Sequence, residues 1–142
     1  MKRILSFLSA VVVLFAVIAC KKNKKPDGNA DQMNQVMAIH DEVMPKMSAF
    51  GKLVKELKSK EDSTAMGLEY KKAREDLQAA HNNMMDWMKG FGDRFDSDEI
   101  LNGKALSEEK QAWLDEEEQK IKEVRQDINS SIEKAEALLS PN

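Results

Sequence analysis

From residue 31 to the C-terminus the chain repeats one pattern, apolar residues separated by alternating steps of three and four. Such steps place every apolar side chain on one stripe of an α-helix, and no segment alternates with the period of two that a β-strand needs. The first stripe is Met33, Val36, His40, Val43, Met47, Phe50, Val54 and Leu57, widened by Met37, Met44 and Leu53. The second is Met66, Tyr70, Ala73, Leu77, Ala80, Met84, Trp87 and Phe91. The third is Leu114, Glu117, Ile121, Val124, Ile128, Ser131, Ala135 and Leu138, with Ile132 and Leu139 beside it. The expected fold is all-α: an up-down-up, three-helix antiparallel bundle of coiled-coil type, about 45 Å long at 1.5 Å per residue. A bundle of this shape can also pair with a second copy of itself.

Local signals set the expected boundaries. Helices are expected over 31–59, 63–91 and from 108 onward. Pro45 lies inside the first stripe and should kink that helix near Asp41, because it lacks an N–H and its ring meets the carbonyl four residues earlier. Ser63 is the expected N-cap of the second helix, and Gly90 and Gly92 its end. Ser107 should cap the third, with Glu108 and Glu109 in the first turn where the helix dipole favours acids. Between them, 92–106 is an expected connection whose Phe95, Ile100, Leu101 and Leu106 fold back over the bundle end. Its acids, Asp93, Asp96, Asp98 and Glu99, do not fit an EF-hand, since the glycine and distal glutamate of that loop are missing from their places. They read as a solvated loop.

The first thirty residues follow other rules. Lys2 and Arg3 precede a run from Ile4 to Ala19 broken only by Ser6 and Ser9, the layout of a secretory signal peptide. The run ends in Val17-Ile18-Ala19-Cys20, which resembles the lipobox of bacterial lipoproteins. The resemblance implies cleavage after Ala19 and acylation, palmitate included, on the Cys20 thiol. Cys20 is the only cysteine, so no internal disulfide can form. Lys21, Lys22, Lys24 and Lys25, then Pro26, Asp27, Gly28 and Asn29, form an expected flexible tether whose lysines can lie against anionic headgroups. The expected organisation is therefore signal peptide 1–19, lipidated cysteine and basic linker 20–30, and helical domain 31–142. Basic rather than acidic residues after the cysteine favour a domain facing the periplasm, and the expected anchor lies in the outer membrane.

Charge separates the two parts. The domain from residue 31 carries 16 basic against 24 acidic residues, a net charge of −8, which argues against nucleic acid as a partner. Enzymatic readings find little support. The cysteine is consumed by lipidation, no glycine-rich phosphate loop is present, and Ser130-Ser131 has no base at helical spacing. The run Asp115 to Glu118 reads as a solvated helix face.

One local pattern is more specific. His40-x-x-x-Met44-x-x-Met47 on the first helix recurs as His81-x-x-x-Met85-x-x-Met88 on the second, and these are the only two histidines. Spacings of four and seven align each trio along one face. Folding the helices about their connections brings His40, His81 and Glu117 towards one layer. One reading is a metal site, with imidazole and thioether selecting copper and Trp87 offering its ring face to a soft cation. The other is a packed layer in which methionines fill core gaps and the histidines with Glu117 fix register. A di-iron centre would need Glu-x-x-His pairs, and Met37 and Gln78 stand where those glutamates belong. A histidine–methionine haem is selected by nothing in the sequence.

The segments His40-Asp41-Glu42-Val43-Met44-Pro45-Lys46-Met47 and Met84-Met85-Asp86-Trp87-Met88 resemble a group of small bacterial lipoproteins often mislabelled "viral A-type inclusion protein". The resemblance implies a helical lipoprotein and brings no activity or catalytic residues. The expected function is non-enzymatic: a membrane-anchored extracytoplasmic bundle with a structural or protein-interaction role in the envelope, its partner another envelope protein or itself. The alternative is a copper-binding or other metal-binding lipoprotein using His40, Met44, Met47, His81, Met85, Met88 and Glu117.

Overall fold

A computed structural model describes residues 28–140. Signal peptide, Cys20 and most of the tether lie outside them. The described residues are helical with no strand: α1 (Gly28–Val43), a 3₁₀ turn (Lys46–Ala49), α2 (Phe50–Lys58), α3 (Ala65–Arg94), α4 (Ser97–Leu101) and α5 (Glu108–Leu139). None of these helices is long and apolar enough to cross a membrane.

Pro45 does more than kink the first helix. The last α-helical bond before it runs from the Met44 amide to the His40 carbonyl (3.0 Å), the amides of Met47 and Ser48 bond three residues back to Met44 and Pro45 (both 3.2 Å), and α-helix resumes at Phe50. The buried stripe survives the break, because Val43 and Phe50 stand seven apart on either side of it. Partners change there: α1 lies along α5, whereas α2 packs chiefly on α3.

The second helix starts at a different cap from the expected Ser63. Thr64 has extended backbone and its hydroxyl accepts the Gly67 N–H at 3.0 Å. The helix also runs through Gly90 and Gly92 to Arg94, carried by Phe91 and Phe95, each 4% exposed. Of its expected stripe, Met66 is 53% exposed and Gly67 is buried instead, whereas Ala73, Leu77, Ala80, Met84, Trp87 and Phe91 all face the core.

The acidic connection contains α4. Asp96 caps it, accepting the amides of Asp98 and Glu99 at 3.0 Å, and Glu99 reaches back to the Asp96 amide at 2.8 Å. This reciprocal capping box gives two of the four acids a structural task. Burial opposes ionisation of Glu99, but the Lys110 ammonium and the Asp96 amide outweigh it and hold its carboxyl below the usual range. Leu101, expected to fold over the bundle end, is 75% exposed. In α5, Ser107 accepts the Lys110 amide at 3.2 Å, and the stripe from Leu114 to Ala135 is buried as its spacing requires.

Cross-helix pairs fix the directions. Gln32 bonds Asp115 (2.8 Å), Lys46 bonds Asn129 (2.8 Å) and Glu42 meets Arg125 (3.4 Å), so residue numbers rise together along the first leg and α5. Asp76 with Lys134 (3.0 Å), Asn83 with Asp127 (3.2 Å) and Arg94 with Glu116 (2.7 Å) run oppositely along α3 and α5.

Candidate functional site

Where α1 gives way to α2, the first leg faces the second half of α3, and both copies of the histidine–methionine pattern lie there. Their placement follows from the core. On α3 the residues facing inward are Ala80, Met84, Trp87 and Phe91. His81, Met85 and Met88 each follow one of these by a single position, so they form a parallel stripe beside the core. On the first leg, Val36, Val43 and Phe50 are the inward residues, and His40, Met44 and Met47 flank them.

The two histidines occupy different surroundings. The His40 ring lies 5.9 Å from that of Trp87, and its Nδ1 is 2.9 Å from a carboxylate oxygen of Asp41. The His81 ring lies 6.4 Å from Phe50 and is exposed. Six residues separate His81 from Trp87 on α3, about 9 Å along the axis. The expected single layer is thus divided over two levels.

Glu117 belongs to the level of Trp87, whose indole N–H donates to the Glu117 backbone carbonyl at 3.3 Å. Its carboxylate is committed elsewhere. It is 2% exposed, 3.0 Å from Arg94 and 2.8 Å from Lys120. Arg94 in turn lies over the Trp113 ring at 5.5 Å. Sequence spacing identified Glu117 as an interruption of the stripe but not these cations, because Arg94 lies on another helix, beyond two glycines that read as a stop.

His81 and Met47 share a groove of about 580 Å³ floored by Phe50, Val54 and Leu77. Gly51 lines the same groove, and nothing lies within 4 Å of where its side chain would be. Met44, Met47 and Met88 are half-buried against the core, and Met85 is 46% exposed. The methionines that fill the core are others, Met33 at 2% and Met84 at 0%. Among the described residues no three His, Cys, Asp or Glu side chains gather to hold a metal ion. What the seam offers is two imidazoles and four thioethers. Sequence reasoning missed Asp41 and Phe50 as their neighbours, although Asp41 is adjacent to His40 in the chain.

Compared with protein-family models, curated proteins and solved structures, the chain gives no match.

Proposed function

We propose that the chain is a non-enzymatic, lipid-anchored protein of the bacterial cell envelope. Its helices form an up-down-up three-helix bundle that holds an interaction surface away from the membrane, and acylated Cys20 at the end of the lipobox-like sequence is the anchor. The tether would join the bundle at Gly28, beside α4 and the start of α5. The first turn of α3 lies at the opposite end, beside the end of α5, because α3 runs against its neighbours. With α5 at 32 residues, the two ends are about 48 Å apart.

The observation that carries this reading is at that far end. Met66 is 53% exposed and Leu68 56% exposed, both on the first turn of α3. Two residues apart on a helix they point to opposite sides, so the tip is apolar on both faces. Large apolar side chains kept in water at the tip of an anchored rod suit contact with another envelope protein or a second copy.

Photo-crosslinking in intact cells tests this. Photoreactive residues placed in turn at positions 66 and 68 should give discrete adducts, one from each face of the tip. An adduct pattern no different from that at solvent-exposed Gln119 on α5 would overturn the reading.

A further inference from the structure

The six residues of the repeated pattern share a property that the core-filling methionines lack: all keep contact with solvent. Met33 and Met84 are enclosed, whereas His40, Met44, Met47 and Met88 are half-buried and Met85 and His81 are exposed. Filling a core gap explains a methionine at zero exposure. It does not explain a row of thioethers along a solvent edge, where leucine packs as well and lysine solvates better.

The helix directions add a second observation. His-x-x-x-Met-x-x-Met set against itself in antiparallel order pairs each histidine with a methionine and leaves a methionine pair between them. The ring pairs His40–Trp87 and Phe50–His81 fix this register at either end. Met47 duly shares its groove with His81. By the same register Met88, next to Trp87, comes to the His40 end, and Met44 comes level with Met85 between the two.

A third observation concerns His40. A carboxylate oxygen of Asp41 lies 2.9 Å from Nδ1 and can accept from it, and the tautomer that makes this bond carries its lone pair on Nε2. A carboxylate behind an imidazole is the usual outer partner of a histidine ligand. Trp87 adds an aromatic face beside the same ring.

We propose that this seam binds copper(I) through imidazole–thioether pairs, His81 with Met47 at one end and His40 with Met88 at the other, with Met44 and Met85 shared between them. Neutral thioether and imidazole donors favour a soft monovalent cation over zinc, calcium or magnesium. The ion enters already reduced, so binding needs no electron transfer. The site does not depend on the anchor or on the apolar tip.

The test uses the full chain carrying Cys20→Ser in detergent, so that no thiol competes, titrated anaerobically with copper(I) against a chromophoric copper(I) chelator. The chain should withdraw copper(I) stoichiometrically. Replacing Met44, Met47, Met85 and Met88 by leucine preserves volume and should weaken uptake at least about tenfold. The buried pair Met33→Leu with Met84→Leu should leave uptake unchanged. His40→Gln with His81→Gln probes the same ligands without altering the core and should weaken uptake as well, with helicity checked by circular dichroism throughout. Failure to withdraw copper(I), uptake that survives the four leucines or the two glutamines, or equal loss in the buried pair would overturn the proposal.

Discussion

Gly67 lies directly against Asp62: a β-carbon there would collide with the Asp62 carboxylate and with its backbone nitrogen and oxygen. The contact belongs to the cap of α3. Asp62 accepts the Thr64 amide at 2.9 Å and the Thr64 hydroxyl, and that hydroxyl accepts the Gly67 amide at 3.0 Å. Gly67→Ala must push this turn apart and should destabilise the chain by about 1–3 kcal/mol. Gly90 is also helical, but nothing lies within 4 Å of its absent side chain. Gly90→Ala should therefore stabilise by up to about 1 kcal/mol through helix propensity. Urea denaturation followed by circular dichroism measures both, and equal stability of Gly67→Ala and the parent would refute the Asp62 contact.

Glu117 and its cations give an asymmetric pair of substitutions. Arg94→Ala leaves an enclosed carboxylate with Lys120 alone, whose side chain is 51% exposed. The loss should be about 2 kcal/mol, less than for a fully enclosed pair because Arg94 is itself partly solvated. Glu117→Leu removes the buried charge and leaves Arg94 its 2.7 Å pair with Glu116. It should cost less than Arg94→Ala in the same denaturation experiment. The reverse order would mean that the carboxylate, rather than its burial, stabilises this layer.

The stripes were the legible part of the fold. In α5 each residue from Leu114 to Ala135 is buried at the step its spacing sets, including the polar Glu117 and Ser131, because a long uninterrupted helix offers no alternative phase. Breaks were harder to read. Pro45 reads as a kink because the stripe continues across it, yet continuity of the stripe does not require continuity of hydrogen bonding. Ser63 and Thr64 are both good caps, and the Asp62 carboxylate, which bonds Thr64, distinguishes them. Gly90 and Gly92 read as a stop from local preference alone, and burial of Phe91 and Phe95 overrode it. The α4 capping box is visible as Asp96 followed three residues later by Glu99, a spacing that the reading of these acids as a solvated loop passes over. At the seam, the recurrence of the histidine–methionine spacing was legible, whereas the separation of the histidines depends on how the chain resumes after Pro45.

Acid should unfold the domain through its paired carboxylates. Asp76 is held below its ordinary value of 3.8: burial opposes ionisation, but hydrogen bonds from Lys134 and Lys72 outweigh it. Glu118, through Lys122 and Gln32, and Asp96, through Lys104, are likewise depressed. A carboxyl depressed in the folded chain binds protons more readily when unfolded, so its contribution is present above the unfolded value and lost as pH falls through the folded one. Stability should therefore hold from neutrality down to about pH 5 and decline below the ordinary values of 4.5 for Glu and 3.8 for Asp. Lys134→Met should flatten the decline by removing one Asp76 partner. A stability profile that falls instead between pH 7 and 5 would show that these carboxylates do not set the transition.

The anchor is tested apart from the bundle. If Cys20 accepts the lipid, cells fed labelled palmitate should label the parent chain and not Cys20→Ser. The variant should also migrate as a larger species, since cleavage after Ala19 follows acylation and its failure retains residues 1–19. Lys21, Lys22, Lys24 and Lys25 should then act as a secondary contact worth about 1 kcal/mol each at an anionic surface. Changing all four to glutamine in the acylated chain should leave membrane attachment intact at low salt, because several acyl chains on one residue anchor firmly without help. Release of that quadruple variant from the membrane would show that charge rather than acylation holds the protein in place.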